Sequence, residues 1–410
     1  LWTISLIIKA SIILLTCLGI YAYKYPCSDR TAMQIFRKSS YEFSVKILDR
    51  VHLDKHEGHF VFSPLSTWIQ LMMLAERSQR STSQEIWKAA KFHLHQCFRR
   101  RLKRLLINIA TDVKSFPGSG LSGIITFDKK YDVSFWYRRR IRQAQLNSRG
   151  LNYRIIPLPY DDPVTVTKIN NIIASDIDEE SADVFSVDDF VDASLLVTDV
   201  SKFKPKWRFP FDPLNTKIEA FNSELGNPIG YEHMMDVIAN FNFTELPIIN
   251  AKVLELPCDK FNKISMLIFL PIKGSIEEIF FKLRRLRLVT IFNRFSNAGL
   301  KRVHVKLPRF KLSTDFDNLP EVLGDVGIDR IFDRNLAEFR GLSDHSMYVS
   351  LMSQLSVIEV TEGEGIPPID STSDGFLRFT ANRPFAFMVV HRKLRIILQS
   401  GLYSIPSLHL

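Results

Sequence analysis

The sequence predicts an α+β protein built as a single domain. Three observations carry this. Apolar residues at helical spacing dominate the first half of the chain. Short alternating or fully apolar runs dominate the second half, and no internal repeat or low-complexity linker divides the 410 residues. Apolar residues make up 46% and charged residues 24%, an ordinary globular balance that argues against disorder of the bulk. The 31 phenylalanines suit a sheet-rich core.

Residues 1–22, "LWTISLIIKASIILLTCLGIYA", are apolar with one break at Lys9. The unbroken run from Ala10 to Ala22 falls short of the about 20 residues that cross a bilayer. It has the length of a signal-peptide core, with Ala22 as a candidate cleavage point. The expectation is a cleaved signal peptide and a secreted, extracellular chain with no remaining membrane span; a retained signal anchor is the alternative. Residues 23–40 are expected to form an N-terminal tail. Cys17 would leave with the signal. Cys27, Cys97 and Cys258 remain, an odd number without CxxC spacing, which suggests neither a disulfide framework nor a zinc site. Asn242 in "NFT" is a glycosylation sequon that fits secretion.

"YEFSVKILDRV" spaces Phe43, Val45, Ile47 and Leu48 as a helix does. "FVFSPLSTWIQLMMLAER" reads as a short strand, a Ser-Pro turn and a buried helix. "STSQEIWKAAKFHL" begins another helix, with Thr82 and Glu85 at capping-box spacing. "CFRRRLKRLLINIATDV" is a basic amphipathic helix, and "SFPGSGLSG" a loop. From Ala251 the texture changes. "AKVLELPC" and "ISMLIFLP" read as neighbouring strands joined by a tight loop. "RVHVKLPRF" puts Val303, Val305 and Leu307 on one face and Arg302, His304 and Lys306 on the other. "YVSLMSQLSVIEV" is apolar on both faces, as a strand inside a large sheet is. "RPFAFMVVHRKLRIILQSGLY" reads as a closing hairpin.

Catalytic motifs are missing. "GSGLSG" at 118–123 matches G-x-G-x-x-G but leads into the strand-like "IITF", so no helix start gathers amides for a pyrophosphate. There is no HExxH, GxSxG or P-loop pattern. His93 and His95 are two apart and share no helical face. The expectation is no cofactor, no metal, no catalytic residue and no enzymatic activity.

Taken together, these segments resemble the serpin family from about Tyr41 to Pro406. "FVFSPLSTWIQLMMLAERSQRSTSQEI" looks like the family's early helix and shutter segment, and "SLLVTDVSKFKPKWRFPFDPLNT" is similar to its central strand with a buried Trp, here Trp207. "AKVLELPC" and "ISMLIFLP" match the paired strands of its second sheet, and "VHVKLPRFKLSTDFDNLPEVLGDVGIDRIF" is similar to the stretch that leads back to the main sheet. "FTANRPFAFMVV" and "SGLYSIP" match its C-terminal signature, with Pro384, Phe385, Gly401 and Pro406 in order. The resemblance implies one domain over 41–406, three β-sheets, eight to nine helices, and an exposed reactive-centre loop over 362–380. It also implies serine-protease inhibition, in which the cleaved loop inserts as a new central strand.

Insertion needs small side chains in the loop's first half. The hinge here is Glu362, Gly363, Glu364, Gly365, Ile366, Pro367 and Pro368. Counted without a gap, Glu364 stands where the family has its hinge glycine, and the two prolines occupy the small-residue run. A proline in a central strand removes a ladder donor and restricts the residue before it. Gly365 to Pro384 spans only 20 residues, which is short for an inhibitory loop. The shutter is expected at Ser63, Ser66, Asp199 and Gln354, with Asp199 in place of the family's asparagine and Gln354 in place of its histidine. Candidate scissile bonds are Ser373–Asp374, Phe376–Leu377 and Arg378–Phe379.

The net charge of +10, or +9 without Lys9, favours acidic partners. "RRRLKR" at 99–104 holds Arg99, Arg100, Arg101, Lys103 and Arg104; "RRRIR" at 138–142 holds Arg138, Arg139, Arg140 and Arg142; "KLRRLR" lies at 282–287. By resemblance the first falls near the helix that binds heparin in some serpins. The plain alternative is a solvated basic face. The reading is therefore a secreted, monomeric serpin with inhibition impaired at the hinge. Its partners are an extracellular serine protease and a heparin-like polysaccharide, and not nucleic acid. A functional suicide-substrate inhibitor and a non-inhibitory binding or carrier serpin are the alternatives.

Overall fold

The computed structural model describes residues 27–54, 58–93, 95–131, 152–283, 285–343, 345–368 and 375–409. The expected signal at 1–22, the cluster Arg138, Arg139, Arg140 and Arg142, and the pair Ser373–Asp374 lie outside them.

Eight α-helices form among the described residues: α1 (Asp29–Asp54), α2 (Pro64–Ala75), α3 (Arg80–Ala89), α4 (Gln96–Lys114), α5 (Val164–Ile177), α6 (Glu277–Leu283), α7 (Leu288–Ala298) and α8 (Leu319–Asp325). In α1, Phe36, Phe43, Ile47 and Val51 recur at helical spacing and are buried. The helix starts at Asp29, so most of the expected tail is its first turns. In α2 nearly every residue is buried; Pro64 starts it, and the Ser63 hydroxyl caps it by accepting from the Ser66 amide. Helix α3 does not use the Thr82–Glu85 capping box. It begins at Arg80, and Gln79 makes no side-chain cap. Thr82 and Glu85 reach across the fold instead: Thr82 Oγ1 accepts from Glu338 N, and Glu85 Oε1 from the Asp329 and Arg330 amides at 2.7 and 2.8 Å. None of these helices is long and apolar enough to cross a membrane, among the described residues.

One sheet has five strands: β2 (Gly120–Asp128), β3 (Asn152–Leu158), β4 (Leu195–Phe203), β10 (Phe310–Phe316) and β11 (Val349–Val360), in the order β10-β11-β4-β2-β3. Its inner face packs on α2 and the main core; its outer face is covered by α5, through Ile169, Ile173 and Ile177 against Leu196, Val200 and Val357. The second sheet holds β1 (Phe60–Phe62), β5 (Lys217–Asn222), β6 (Pro228–Leu246), β7 (Ala251–Pro257), β8 (Ile264–Pro271), β9 (Leu300–Pro308), β12 (Leu377–Thr380), β13 (Phe385–His391), β14 (Ile396–Tyr403) and β15 (Leu408–His409). Two hydrogen-bonded sheets, not three, are present among the described residues. The reason is β6, a 19-residue strand. Its C-terminal end pairs with β7 while its body pairs with β9 and β5, which joins two sheets into one.

Two further expectations change. Cys27 and Cys97 form a disulfide, which ties the approach to α1 to the start of α4, while Cys258 is buried and free. Cross-linking across a separation of 70 residues stabilises by about 4 kcal/mol in the chain-entropy view. Cys27→Ser/Cys97→Ser should therefore lower the urea midpoint, and an unchanged midpoint would contradict the pairing. Asn242 lies inside β6, paired with Glu255 on one side and Leu300 on the other, and its amide donates to Glu255 at 2.6 Å. It is not on the exposed loop that a glycan acceptor needs.

Candidate functional site

Serpin-like insertion would open the seam between β4 and β11. Here that seam is closed. The two strands pair in parallel from Leu351–Leu196 to Ile358–Phe203 without a break, with Gln354 opposite Asp199. The chain leaves the sheet immediately beyond. Trp207 Nε1 donates to Thr361 O at 2.6 Å, and Phe211 N donates to Glu362 O at 2.9 Å. Glu362 is buried, accepts from Thr216 Oγ1 at 2.9 Å and pairs with Arg309 at 3.4 Å. Gly363 turns the chain with φ +82°, and a Cβ there would come within 2.8 Å of the Trp207 ring. Gly365 also has a positive φ, +124°. Backbone freedom therefore sits at Gly363 and Gly365, either side of the exposed Glu364, which pairs with Lys206 at 3.5 Å. Ile366 is 88% exposed, and Pro367 and Pro368 follow, half-buried.

The far end of the loop is held too. Leu377, Arg378, Phe379 and Thr380 form β12, parallel to β9 in the register Leu377–Val303 to Thr380–Lys306. Phe379 is 1% exposed. The Phe376 ring stands edge-on to His304, 5.2 Å away. A protease must thread an extended, unpaired segment, so Arg378–Phe379 and Phe376–Leu377 are poor scissile bonds.

The shutter residues come together beneath the seam. Gln354 Oε1 accepts from Ser63 N at 2.6 Å and Ser356 Oγ at 2.8 Å; its Nε2 donates to Ser63 O and Thr67 Oγ1 at 3.0 and 2.8 Å. Ser66 Oγ meets Tyr153 OH at 3.0 Å. Gln354 is thus tied to α2 and its cap. Asp199 is fully buried among Thr67, Gln70 and Gln354, yet neither carboxyl oxygen has a well-formed hydrogen bond, and Gln70 Oε1 is orphaned as well. Burial pushes the Asp199 carboxyl well above the usual carboxylate range.

Polar groups also cross the seam on both faces. On the outer face Glu179 accepts from Lys202 of β4 at 3.1 Å and from Lys311 of β10 at 2.8 Å, spanning β11. Lys202 also donates to Ile177 O at 2.6 Å, which fixes the C-terminal end of α5 to β4. On the inner face Gln399 Nε2 donates to Ser201 Oγ at 2.8 Å and to Val357 O at 3.1 Å. Lys204 and Glu359 pair at 2.6 Å at the open end. A cleft of about 530 Å³ lies there, but its lysines face carboxylates. Lys202 is an evident oddity in sequence; Glu179 and Gln399 carry no such signal.

The basic cluster on α4 is largely spent. Arg101 pairs with Asp29, Lys103 with Glu76 at 2.8 Å, and Arg99 lies over the Trp87 ring at 5.2 Å. Of this cluster, Arg100 and Arg104 are exposed with no ion pair among the described residues. No group of three or more His, Cys, Asp or Glu is placed to hold a metal among the described residues.

The serpin (serine protease inhibitor) family matches residues 38–406, and the chain belongs to this family. Human serpin B4 is 30% identical over 384 residues, covering 85% of this chain and 94% of the relative. Human serpin B9 is 25% identical, covering 91% and 100%. An uncharacterized serpin-like protein of Methanosarcina acetivorans is 26% identical, covering 87% and 84%. Two solved structures share the fold. Manduca sexta serpin-12 has a TM-score of 0.76 at 22% identity, covering 90% of this chain and 99% of that one. Uncleaved ovalbumin has a TM-score of 0.75 at 18% identity, covering 89% and 98%.

Proposed function

We propose that this serpin is secreted and that an extracellular serine protease cuts its loop as a substrate, without being trapped. The observation that carries this reading is Pro367–Pro368, one residue after the hinge glycines. To insert, these residues must enter a central strand, where each proline leaves one ladder position without a donor. The stapled seam between β4 and β11 must also open. Both raise the barrier to insertion, while hydrolysis of an acylated protease needs no movement of the loop. Secretion is supported by the Cys27–Cys97 disulfide, a linkage of oxidising compartments.

Mixing the protein with trypsin-like, chymotrypsin-like and elastase-like proteases should give cleavage before Phe376, no band of protease-plus-serpin mass on denaturing gels, and a melting temperature close to that of the intact chain. The competing reading, a suicide-substrate inhibitor, has the closed five-stranded sheet in its favour, since its insertion energy is unspent. A denaturation-resistant complex with any of the proteases would establish that reading and remove ours.

A further inference from the structure

We propose that the cleft between α1, the α6–α7 turn and the β13–β14 hairpin turn binds an anion carrying several sulfate or phosphate groups. Arg37 and Lys38 of α1, Arg285 and Arg287 of the α6–α7 turn, and Arg395 of the hairpin turn line one cleft of about 620 Å³. Such a volume is that of a small-ligand site. Among the described residues the one carboxylate in its lining is Glu42, which faces Lys38 at 3.9 Å.

Among the described residues the four guanidinium groups have no carboxylate partner. Arg37 is fixed by its own donors, Nε to Leu394 O at 3.1 Å and Nη2 to Lys393 O at 2.6 Å. Burial, and then the like charge of Arg395, lowers the Arg37 pKa, so these two heads share one field. Arg285 leans on the Phe281 ring at 5.8 Å. Tyr41, in the floor, donates its hydroxyl to Leu286 O and, at 3.2 Å, to Leu283 O, which holds the turn against α1. The cleft is therefore preorganised by backbone-anchored groups. Other cations of the fold are matched: Arg101 with Asp29, Lys103 with Glu76, Lys202 and Lys311 with Glu179. Here it leaves them facing one another.

Planar guanidinium forks grip tetrahedral oxyanions through paired N–H groups, and several forks around one cleft select for several oxyanions on one ligand. A single sulfate would answer one arginine and leave the mutual repulsion of the others. A sulfated oligosaccharide and an inositol polyphosphate share the required chemistry. They also separate the two sources, an extracellular polysaccharide and a phosphorylated small molecule.

The test is calorimetric titration of the whole protein at about 0.15 M ionic strength. The probes are a heparin-derived hexasaccharide, inositol hexakisphosphate and inorganic sulfate. At least one of the first two is expected to bind, and sulfate alone is not. In the variant R285A/R287A/R395A the affinity should fall more than 10-fold, with a shallower dependence on salt by roughly one logarithmic unit per lost contact. Arg285 and Arg287 are exposed, so this variant should fold, which its circular dichroism checks. In R100A/R104A, on α4, affinity should be unchanged. Binding by sulfate alone as strong as by either probe, no binding by either probe, or equal losses in the two variants would each overturn the site.

Discussion

Replacing Pro367 and Pro368 together by alanine is expected to turn a cleaved, unchanged serpin into one whose cleaved loop enters the sheet. Insertion exchanges the single β4–β11 ladder for two ladders flanking the new strand. About eight entering residues add roughly eight hydrogen bonds at about 0.5–1.5 kcal/mol each, provided every residue donates. Alanine restores two donors and fits beneath α5, where proline does neither. A gain of about 5–10 kcal/mol corresponds to a rise in Tm of roughly 6–13 °C, at about 1.3 °C per kcal/mol for a domain of this size. Thermal unfolding of the cleaved double variant beside the cleaved parent reads this directly. If the two melt together, the prolines are not the block, and the staples made by Glu179 and Gln399 become the explanation to test.

Asp199→Asn is expected to stabilise the protein by about 2 kcal/mol at neutral pH, the cost of a buried polar group left unsatisfied. The direction with pH follows from protons. In the folded protein burial holds the Asp199 carboxyl well above the usual carboxylate range, whereas in the unfolded chain it ionises near pH 4. Between those limits the folded state binds the extra proton. The parent's stability from this group is thus present at low pH and lost as pH rises through that window. Asparagine does not ionise, so the variant's advantage should be small near pH 4 and grow as pH rises. It also supplies donors where Gln70 Oε1 has none. Urea unfolding of both proteins across pH 4–8 measures the difference, and a constant or negative one would show that Asp199 is satisfied as a carboxylate.

Where the sequence could be read, its signals were local or periodic. The alternation in "RVHVKLPRF" survives as β9, with Val303, Val305 and Leu307 buried, while His304 and Lys306 face Asp236 and Glu219. The β7–β8 pair and the β13–β14 hairpin form as their patterns and short connections imply. What escaped depends on partners distant in the chain. Thr82 and Glu85 have capping-box spacing but bond to residues 329–338. Arg101 and Lys103 read as free charge until Asp29 and Glu76 fold beside them. Cys27 and Cys97 are 70 residues apart, so spacing says nothing of their pairing. Arg37 and Arg395 lie 358 positions apart, and only the packing of α1 against the hairpin turn brings them to one cleft.

The closed seam also governs how copies of this chain treat one another. A gap between two parallel strands would present rows of unpaired amides and carbonyls to any extended segment, including a neighbour's exposed loop. Here β4 and β11 satisfy each other along their shared length, and Lys202, Glu179, Lys311 and Gln399 resist their separation from both sides. A neighbour's loop would bring the same two prolines to the same place. Donor and acceptor are thus hindered by the same residues, and this seam offers crowded copies no ready slot for a neighbour's loop.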